Sequence, residues 1–169
     1  MIVNNIQHMI QVVKEHKPEK IMVQLPAGLM RSAMPIVEAF QATGIAAIVC
    51  GKPTYGACDL ADVEAYKTRC DLLVHVGHTE FYKAIETQVP VIYVPWHMDI
   101  AVDGIDLTAL REKRIGLVTT IQHAHLMDMV AEKLIAAGKE VVIGGQILGC
   151  WTVNATRITD DVDALLYVG

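Results

Sequence analysis

The sequence predicts an α/β protein built from parallel sheets with flanking helices. Short apolar runs rich in branched residues alternate with segments of helical periodicity, and the alternation starts again in the second half of the chain. Runs that are apolar at successive positions are typical of parallel strands covered on both faces. The 169 residues are 53% hydrophobic, which is enough to bury a core and fits one domain or two small ones.

The first half of the chain contains four such apolar runs. A helical stretch from about Gly28 to Thr43 separates the first two and stops at Gly44. Helical segments around Asp59–Lys67 and Glu80–Thr87 precede the other two. We predict four strands, at Lys20–Leu25, Ile45–Cys50, Asp71–Val76 and Val91–Pro95.

The polar, acid-containing segment His97–Asp106 interrupts this pattern. A polar stretch between two periodic regions is typical of a connection. We therefore predict a first α/β domain over residues 1–97, a linker over residues 98–106 and a second, incomplete α/β domain over residues 107–169.

The second half repeats the order of strand, helix and strand. Arg114–Thr119 is predicted to be a strand, His123–Ala137 a helix that ends at Gly138, and Glu140–Ile143 the next strand. A short motif ending in glycine, ATG in the first half and AAG in the second, precedes the second strand of each half.

Each half also carries a cysteine in the loop after its second strand. Ile21 lies 37 residues before Cys58, and Ile115 lies 35 residues before Cys150. This correspondence indicates a diverged internal repeat that puts both cysteines on equivalent loops. Because such loops leave the carboxyl ends of parallel strands, where open α/β sheets bind ligands, we expect a functional site there.

Charge and hydropathy exclude several classes of protein. The net charge of −5 comes without a block of like charge, so we expect no direct nucleic-acid partner and no anionic membrane surface. The N-terminus lacks the features of a secretion signal, and no apolar run is long enough to span a bilayer. We expect a cytoplasmic protein, in which stable disulfides are rare. Cys50 and Cys70, at strand ends, are predicted to be small buried hydrophobic residues.

The histidines offer a different kind of site. A zinc site that joins His75 and His78 to the two loop cysteines is chemically sensible, although the spacing matches no compact zinc motif. His75 alternates within an apolar strand, which favours a hydrogen-bonded core residue. His78 follows Gly77 in a loop and is the better functional candidate.

The start of the helix in the second half is a further candidate for binding. Gln122, His123 and His125 lie where backbone N–H groups could hold a carboxylate. Helix capping by Thr119 or Thr120 explains the same residues without a ligand. The nearby glycine-rich segment GGQILGC lacks the residue order of a dinucleotide fingerprint or a P-loop.

Five motifs in fixed order resemble the archaeal diphthamide synthase family, the 2-(3-amino-3-carboxypropyl)histidine synthases. The resemblance runs from about Lys20 to the last residue. The motifs are IMVQLPAGLM at Ile21–Met30, TYGACDLADV at Thr54–Val63, DLLVHVGHTEF at Asp71–Phe81, VTTIQHAH at Val118–His125 and ILGCW at Ile147–Trp151.

The resemblance implies a fold, a cofactor and a reaction. Members of the family are homodimers of three similar α/β domains, each of which gives one cysteine to a [4Fe–4S] cluster. They cleave S-adenosylmethionine in a radical reaction and transfer its 3-amino-3-carboxypropyl group to a histidine of translation elongation factor 2, the first step of diphthamide synthesis. Cys58 and Cys150 carry over as cluster ligands. The third domain and its ligand are absent from this sequence, so we expect an N-terminal fragment or a short relative.

The remaining expectations concern the surroundings of the cluster. No catalytic residue is assigned. An alternative is a quinolinate synthase-like iron–sulfur enzyme, which resembles the same three-domain plan, and another is a non-catalytic metal-binding or interaction module. The motif positions near predicted strand ends, where contacts with cofactor or co-substrate are expected, are Gln24, Pro26, Gly28, Tyr55, Gly56, Gly77, His78, Gln122 and His123.

Overall fold

The computed structural model of the protein describes residues 2–80 and 85–169. Its contacts divide the chain into two compact units, Met1–Trp96 and His97–Gly169. Each unit is an α/β layer structure around a parallel sheet, which confirms the predicted fold class. Within the described residues, no helix is both long and apolar enough to cross a bilayer.

The first unit contains a four-stranded sheet in the order β2-β1-β3-β4, with every neighbouring pair parallel. Its strands are β1 (Lys20–Gln24), β2 (Ala46–Val49), β3 (Leu72–Val76) and β4 (Val91–Val94). Its helices are α1 (Ile2–Glu15), a 3-10 helix (Ala27–Ser32), α2 (Ala33–Gln41) and α3 (Asp62–Lys67). All four predicted strands are present.

Both faces of this sheet are covered, as the apolar strands predict. Ile21 and Val23 of β1 point to one face, where they join a cluster that includes Met9 of α1 and Phe40 of α2. Met22 points to the other face, into a cluster that includes Ala65 of α3. Successive residues of a strand point to opposite faces, so an uninterrupted apolar run is what a two-sided core requires.

The second unit repeats this plan with a three-stranded parallel sheet in the order β6-β5-β7. The first strand in sequence is central in both units, flanked by the second and the third, which supports the internal repeat. Its strands are β5 (Arg114–Thr119), β6 (Glu140–Gln146) and β7 (Ala164–Val168). Its helices are α4 (Met127–Ala136), α5 (Val153–Thr156) and 3-10 helices at Val102–Gly104, Ala124–Leu126 and Thr159–Asp161.

An aspartate at the start of the third strand recurs in both units. The Asp71 carboxylate accepts hydrogen bonds of 2.8 Å from the backbone N–H groups of Glu19 and Lys20. The Asp163 carboxylate accepts one of 2.9 Å from the N–H of Arg114, and it also pairs with the Arg114 guanidinium. Each aspartate thereby ties the beginning of the central strand to its neighbour.

Two predicted boundaries differ from the structure, and one predicted helix falls largely outside the described residues. Strand β6 continues past Ile143 because Gly144 is the extra residue of a β-bulge, and the strand ends only at Gln146. The segment 98–106, predicted to be a linker, lies in the second unit, where Val102 is buried in the core. The helix predicted around Glu80–Thr87 falls largely on residues 81–84, outside the described residues.

Candidate functional site

Cys58 lies in a tightly bonded loop after β2, at the carboxyl edge of the first sheet. Its side chain is exposed and the thiol is free. The hydroxyl of Thr54, which is 3.1 Å from the carbonyl oxygens of both Gly56 and Asp59, closes the loop from within. The N–H of Tyr55 donates to the Asp59 carboxylate at 3.2 Å. The cysteine is thus held on the outside of a turn whose polar groups point inward.

Gln24, the last residue of β1, fixes the loop from beneath. Its Nε2 donates to the carbonyl oxygen of Asp59 at 2.8 Å, and its Oε1 accepts from the N–H of Ala61 at 3.1 Å. The hydroxyl of Tyr93 adds a third anchor by donating to the carbonyl oxygen of Ala57 at 2.9 Å. Bonds to the residues on either side of Cys58 set the direction in which the thiol is presented.

His75 is the buried partner of Gln24. Its Nδ1 lies 3.0 Å from Gln24 Oε1 and its Nε2 lies 3.0 Å from His78 Nδ1, while its ring also packs against Tyr93. Burial, with a smaller contribution from the nearby His78, lowers the pKa of His75 to about 4, against an opposing effect of Asp59. His75 is therefore neutral near pH 7 and is the hydrogen-bonded core residue that the alternation predicts.

His78 lies in the loop that follows β3 and is partly exposed. Burial lowers its pKa below the usual histidine value, and a hydrogen bond with the Val76 backbone partly opposes this shift. The preceding Gly77 has φ +84°, and an added Cβ would lie 3.3 Å from Pro26 Cγ. A glycine is needed at this point because the turn that brings His78 next to His75 is left-handed and closely packed.

The Cys150 loop follows β6 in the second unit. The thiol is free and exposed, and a pair of backbone hydrogen bonds between Leu148 and Trp151 closes the turn around it. The N–H of Ile147 donates to the Thr119 carbonyl at 2.8 Å, and Asn154 bonds the carbonyl of the last β6 residue. Both loop cysteines therefore leave the carboxyl ends of strands in the same relative position.

The support beneath the two cysteine loops differs. By strand register, Val118 and Tyr167 occupy the places that Gln24 and His75 have in the first unit. Neither can form the hydrogen bonds of a carboxamide that is itself bonded to a buried imidazole. Of the two cysteine loops, only the Cys58 loop is therefore held in this way.

Comparison with known proteins identifies the chain. Residues 25–169 match the family model of the diphthamide synthesis protein. The chain belongs to this family. It is 34% identical to the 2-(3-amino-3-carboxypropyl)histidine synthase of Pyrococcus horikoshii, over 94% of this chain and 50% of that protein. It is 29% identical to subunit 1 of the human synthase, over 93% of this chain and 38% of that protein.

A family member of known structure has the same fold. The crystal structure of Dph2 from Pyrococcus horikoshii matches with a TM-score of 0.79 and 29% identity, over 97% of this chain and 51% of that one. A second structure of that protein, with the same agreement, contains a 4Fe-4S cluster. The chain thus spans about half the length of the archaeal family members that it matches.

The other cysteines of this family member are buried, as predicted. Cys50 is 8% exposed and Cys70 is 5% exposed, and both lie in the core cluster beneath α3. The zinc alternative loses a ligand, because His75 uses both ring nitrogens for hydrogen bonds within the protein. Across residues 2–80 and 85–169, no group of three or more histidine, cysteine or carboxylate side chains is placed to hold a metal ion.

In the second unit, the polar residues after β5 are occupied within the protein. His123 is buried, with Nδ1 2.8 Å from the Met98 carbonyl oxygen, and His125 Nε2 lies 3.0 Å from the Asp99 carboxylate. The explanation by capping with Thr119 or Thr120 is wrong, since neither the 3-10 helix Ala124–Leu126 nor α4 has a side-chain cap, and the Thr119 hydroxyl donates to the Val168 carbonyl at 2.6 Å.

The other expected contact positions lie around the same edge of the first sheet. Tyr55 is 86% exposed beside Cys58, and Gly28 is exposed in the segment after β1. Gln24 is 1% exposed, with its carboxamide engaged by the protein. The sequence does not predict the role of Tyr93, whose hydroxyl reaches the loop from a different strand, because nothing in a run of apolar residues signals that bond.

Proposed function

We propose that the protein acts in the first step of diphthamide biosynthesis. In this reaction the 3-amino-3-carboxypropyl group of S-adenosylmethionine is transferred to a histidine of translation elongation factor 2 by iron–sulfur radical chemistry. The observation that carries the proposal is the exposed Cys58 thiol on a loop fixed by Gln24, in a chain that shares sequence and fold with named synthases.

The cysteines of this chain fit an iron–sulfur cluster in their chemistry. Such clusters are held by cysteine thiolates, and Cys58 and Cys150 are exposed whereas Cys50 and Cys70 are enclosed in the core. We propose that Cys58 and Cys150 each supply one thiolate to a [4Fe–4S] cluster in the complete enzyme. When bound, the cluster supplies the electron for reductive cleavage of S-adenosylmethionine.

The surrounding residues of this chain have a positioning role in the proposal. Gln24 and Tyr93 hold the peptide groups next to Cys58, so the loop that carries the thiol is held in one conformation. A ligand that is already oriented binds metal with a smaller loss of conformational entropy. The family plan adds a third cysteine from a further domain, a homodimer and a cytoplasmic location, and we extend these to the complete protein as proposals.

Anaerobic reconstitution with iron and sulfide tests the proposed ligands. In the complete enzyme we expect bound iron and sulfide, together with broad visible absorption, and loss of most of both in Cys58→Ser and in Cys150→Ser. The buried Cys50→Ala variant is the matched control and should retain iron. A stoichiometric cluster that survives the loss of Cys58 would rule out the assignment.

The transfer reaction is tested separately. The complete enzyme, with all of its cluster ligands, is reconstituted, reduced and incubated with S-adenosylmethionine and elongation factor 2, and the factor is analysed by mass spectrometry. We expect one 3-amino-3-carboxypropyl group on one histidine. A cluster-loaded protein that cleaves S-adenosylmethionine but leaves every histidine of the factor unmodified would contradict the proposed acceptor.

A further inference from the structure

Three side chains form a line from the Cys58 loop to the end of β3, and the direction of each hydrogen bond in the line can be determined. The Ala61 N–H can only donate and the Asp59 carbonyl can only accept. These two groups therefore fix which atom of the Gln24 carboxamide is oxygen and which is nitrogen. The orientation of the Gln24 carboxamide at the start of this line of hydrogen bonds is therefore defined.

The protons on the two imidazoles follow from that start. Gln24 Oε1 is an acceptor 3.0 Å from His75 Nδ1, so this nitrogen carries a proton. His75 is fully buried and neutral near pH 7, which leaves its Nε2 with a lone pair. His78 Nδ1, 3.0 Å from His75 Nε2, carries the proton of this hydrogen bond, and the Val76 backbone is a second hydrogen-bond partner of the His78 ring. In a neutral imidazole the other nitrogen, His78 Nε2, then has none.

We propose that Gln24 and His75 force His78 to present an unprotonated Nε2 at the carboxyl edge of the first sheet, where it accepts a hydrogen bond from an N–H group of the bound ligand. His78 is the ligand-binding residue, and Gln24 and His75 are positioning residues. A carboxylate cannot be the partner of this nitrogen, because both groups would offer only lone pairs.

The identity of the N–H group rests on the proposed function. S-adenosylmethionine offers the ammonium group of its 3-amino-3-carboxypropyl moiety, and elongation factor 2 offers the imidazole N–H of its target histidine. Both are donors, so the chemistry required of His78 is the same. The arrangement also links the ligand to Cys58, because the same Gln24 carboxamide that sets the tautomers holds the residues next to the thiol.

The tautomers can be measured in the ligand-free chain. In histidine-labelled protein, long-range proton–nitrogen correlation spectra at pH 7 should show Nδ1–H and an unprotonated Nε2 for both His75 and His78. His78→Asn and His75→Asn assign the signals. An Nε2–H tautomer of His78 would overturn the inference whether or not the protein is a synthase.

Two variants of His75 separate its two hydrogen bonds. The side-chain amide of His75→Asn reaches the place of Nδ1, so it keeps the bond to Gln24 and releases His78. The amide of His75→Gln reaches the place of Nε2, so it keeps an acceptor for His78 and loses the bond to Gln24. We expect the His78 tautomer to change in His75→Asn and to persist in His75→Gln. The same tautomer in both variants would show that His75 does not set it.

The ligand is tested by titrating S-adenosylmethionine and elongation factor 2 separately into the labelled chain, with calorimetry to measure binding. A shift of the His78 Nε2 signal on addition of S-adenosylmethionine identifies the ammonium group as the donor. A shift on addition of elongation factor 2 identifies the imidazole N–H as the donor. We expect His78→Phe to weaken that ligand about tenfold, the effect of one hydrogen bond, and the exposed control His16→Phe to leave it unchanged. Binding of both ligands without a shift would overturn the inference, whereas binding of neither would contradict the proposed function.

Discussion

The Nε2 atom of Gln24 lies 2.8 Å from the carbonyl oxygen of Asp59, a residue 35 positions further along the chain. This bond joins the end of the central strand to the residue that follows Cys58. Gln24 also accepts from the buried Ala61 N–H, and it shares the Asp59 carbonyl with the Thr54 hydroxyl. The loop that presents the thiol is thus held by the sheet.

Replacement of Gln24 by methionine tests the contribution of these hydrogen bonds. Methionine keeps the length of the side chain but leaves the Ala61 N–H and His75 Nδ1 without their Gln24 partner, while the Asp59 carbonyl keeps only the Thr54 hydroxyl. We expect a loss of about 3 kcal/mol in the free energy of unfolding in urea, since each buried unpaired polar group costs on the order of 1–3 kcal/mol. Hydrogen exchange at the Ala61 amide should become faster.

The exposed Gln11 of α1 provides the matched control. Gln11→Met makes the same chemical change where no buried group depends on the carboxamide, and its effect should stay within about 0.5 kcal/mol. Equal effects of the two substitutions would show that the Gln24 bonds do not hold the loop.

The buried histidine predicts a loss of stability in mild acid. The pKa of His75 is about 4 in the folded protein, well below the ordinary histidine value of 6.5, because burial disfavours the charged ring. Between these values the unfolded chain binds the proton that the folded chain excludes. The contribution of His75 is therefore complete above pH 6.5 and is lost as the pH falls toward 4, by about 3 kcal/mol in total.

Urea unfolding at intervals between pH 7 and pH 4 measures this dependence. His75→Asn removes the titrating ring and keeps the donor to Gln24, so its stability should fall less steeply over the same range. If the unfolding free energies of the two proteins fall in parallel with pH, groups other than His75 take up the proton.

The burial of the four cysteines predicts two classes of thiol reactivity. Cys58 and Cys150 are exposed, whereas Cys50 and Cys70 are enclosed in the core and react only when the chain opens. In pulsed alkylation followed by mass spectrometry, we expect Cys58 and Cys150 to be modified at least ten times faster, as an order-of-magnitude estimate from their exposure. In urea above the unfolding midpoint, all four should react at similar rates.

The β-bulge before the Cys150 loop predicts that Gly144 cannot be replaced by alanine without cost. A Cβ at Gly144 would lie 2.7 Å from Ile158 Cδ1 and 3.1 Å from the Asn154 carbonyl oxygen. We expect Gly144→Ala to reduce the unfolding free energy by about 1–3 kcal/mol, the usual cost of overpacking. At Gly51 a Cβ meets nothing within 4 Å, so Gly51→Ala is the control and should be nearly neutral.

The strands were predictable because they depend on short-range patterns. Arg114–Thr119 is a strand over the predicted residues, and the other predicted strands differ only near their ends. Strand β6 is the exception that shows the limit, since its predicted end at Ile143 follows the apolar run while the observed strand continues through a bulge. Whether a glycine ends a strand or bulges within it depends on the neighbouring strand, which is distant in sequence.

The candidate site was predictable only in part. The repeat placed Cys58 and Cys150 on equivalent loops, and the structure finds both of them exposed in the loops that follow β2 and β6. The alternation within β3 indicated a core histidine at His75. The hydrogen-bond partners of His75 could not be predicted from the sequence, because a buried histidine bonds whichever polar groups the fold brings within about 3 Å.

By itself, the sequence determined the α/β class, the repeated order of strand, helix and strand, and the difference between buried and loop cysteines. These features follow from hydrophobic periodicity and from glycines at helix ends, which act over a few residues. Only the tertiary structure decided that Gln24 spans 35 residues to Asp59 and 51 residues to His75, and thereby which nitrogen of His78 carries a proton. Hydrogen bonds depend on distances of a few tenths of an ångström between groups that pairing of parallel strands brings together, and no local pattern records those distances.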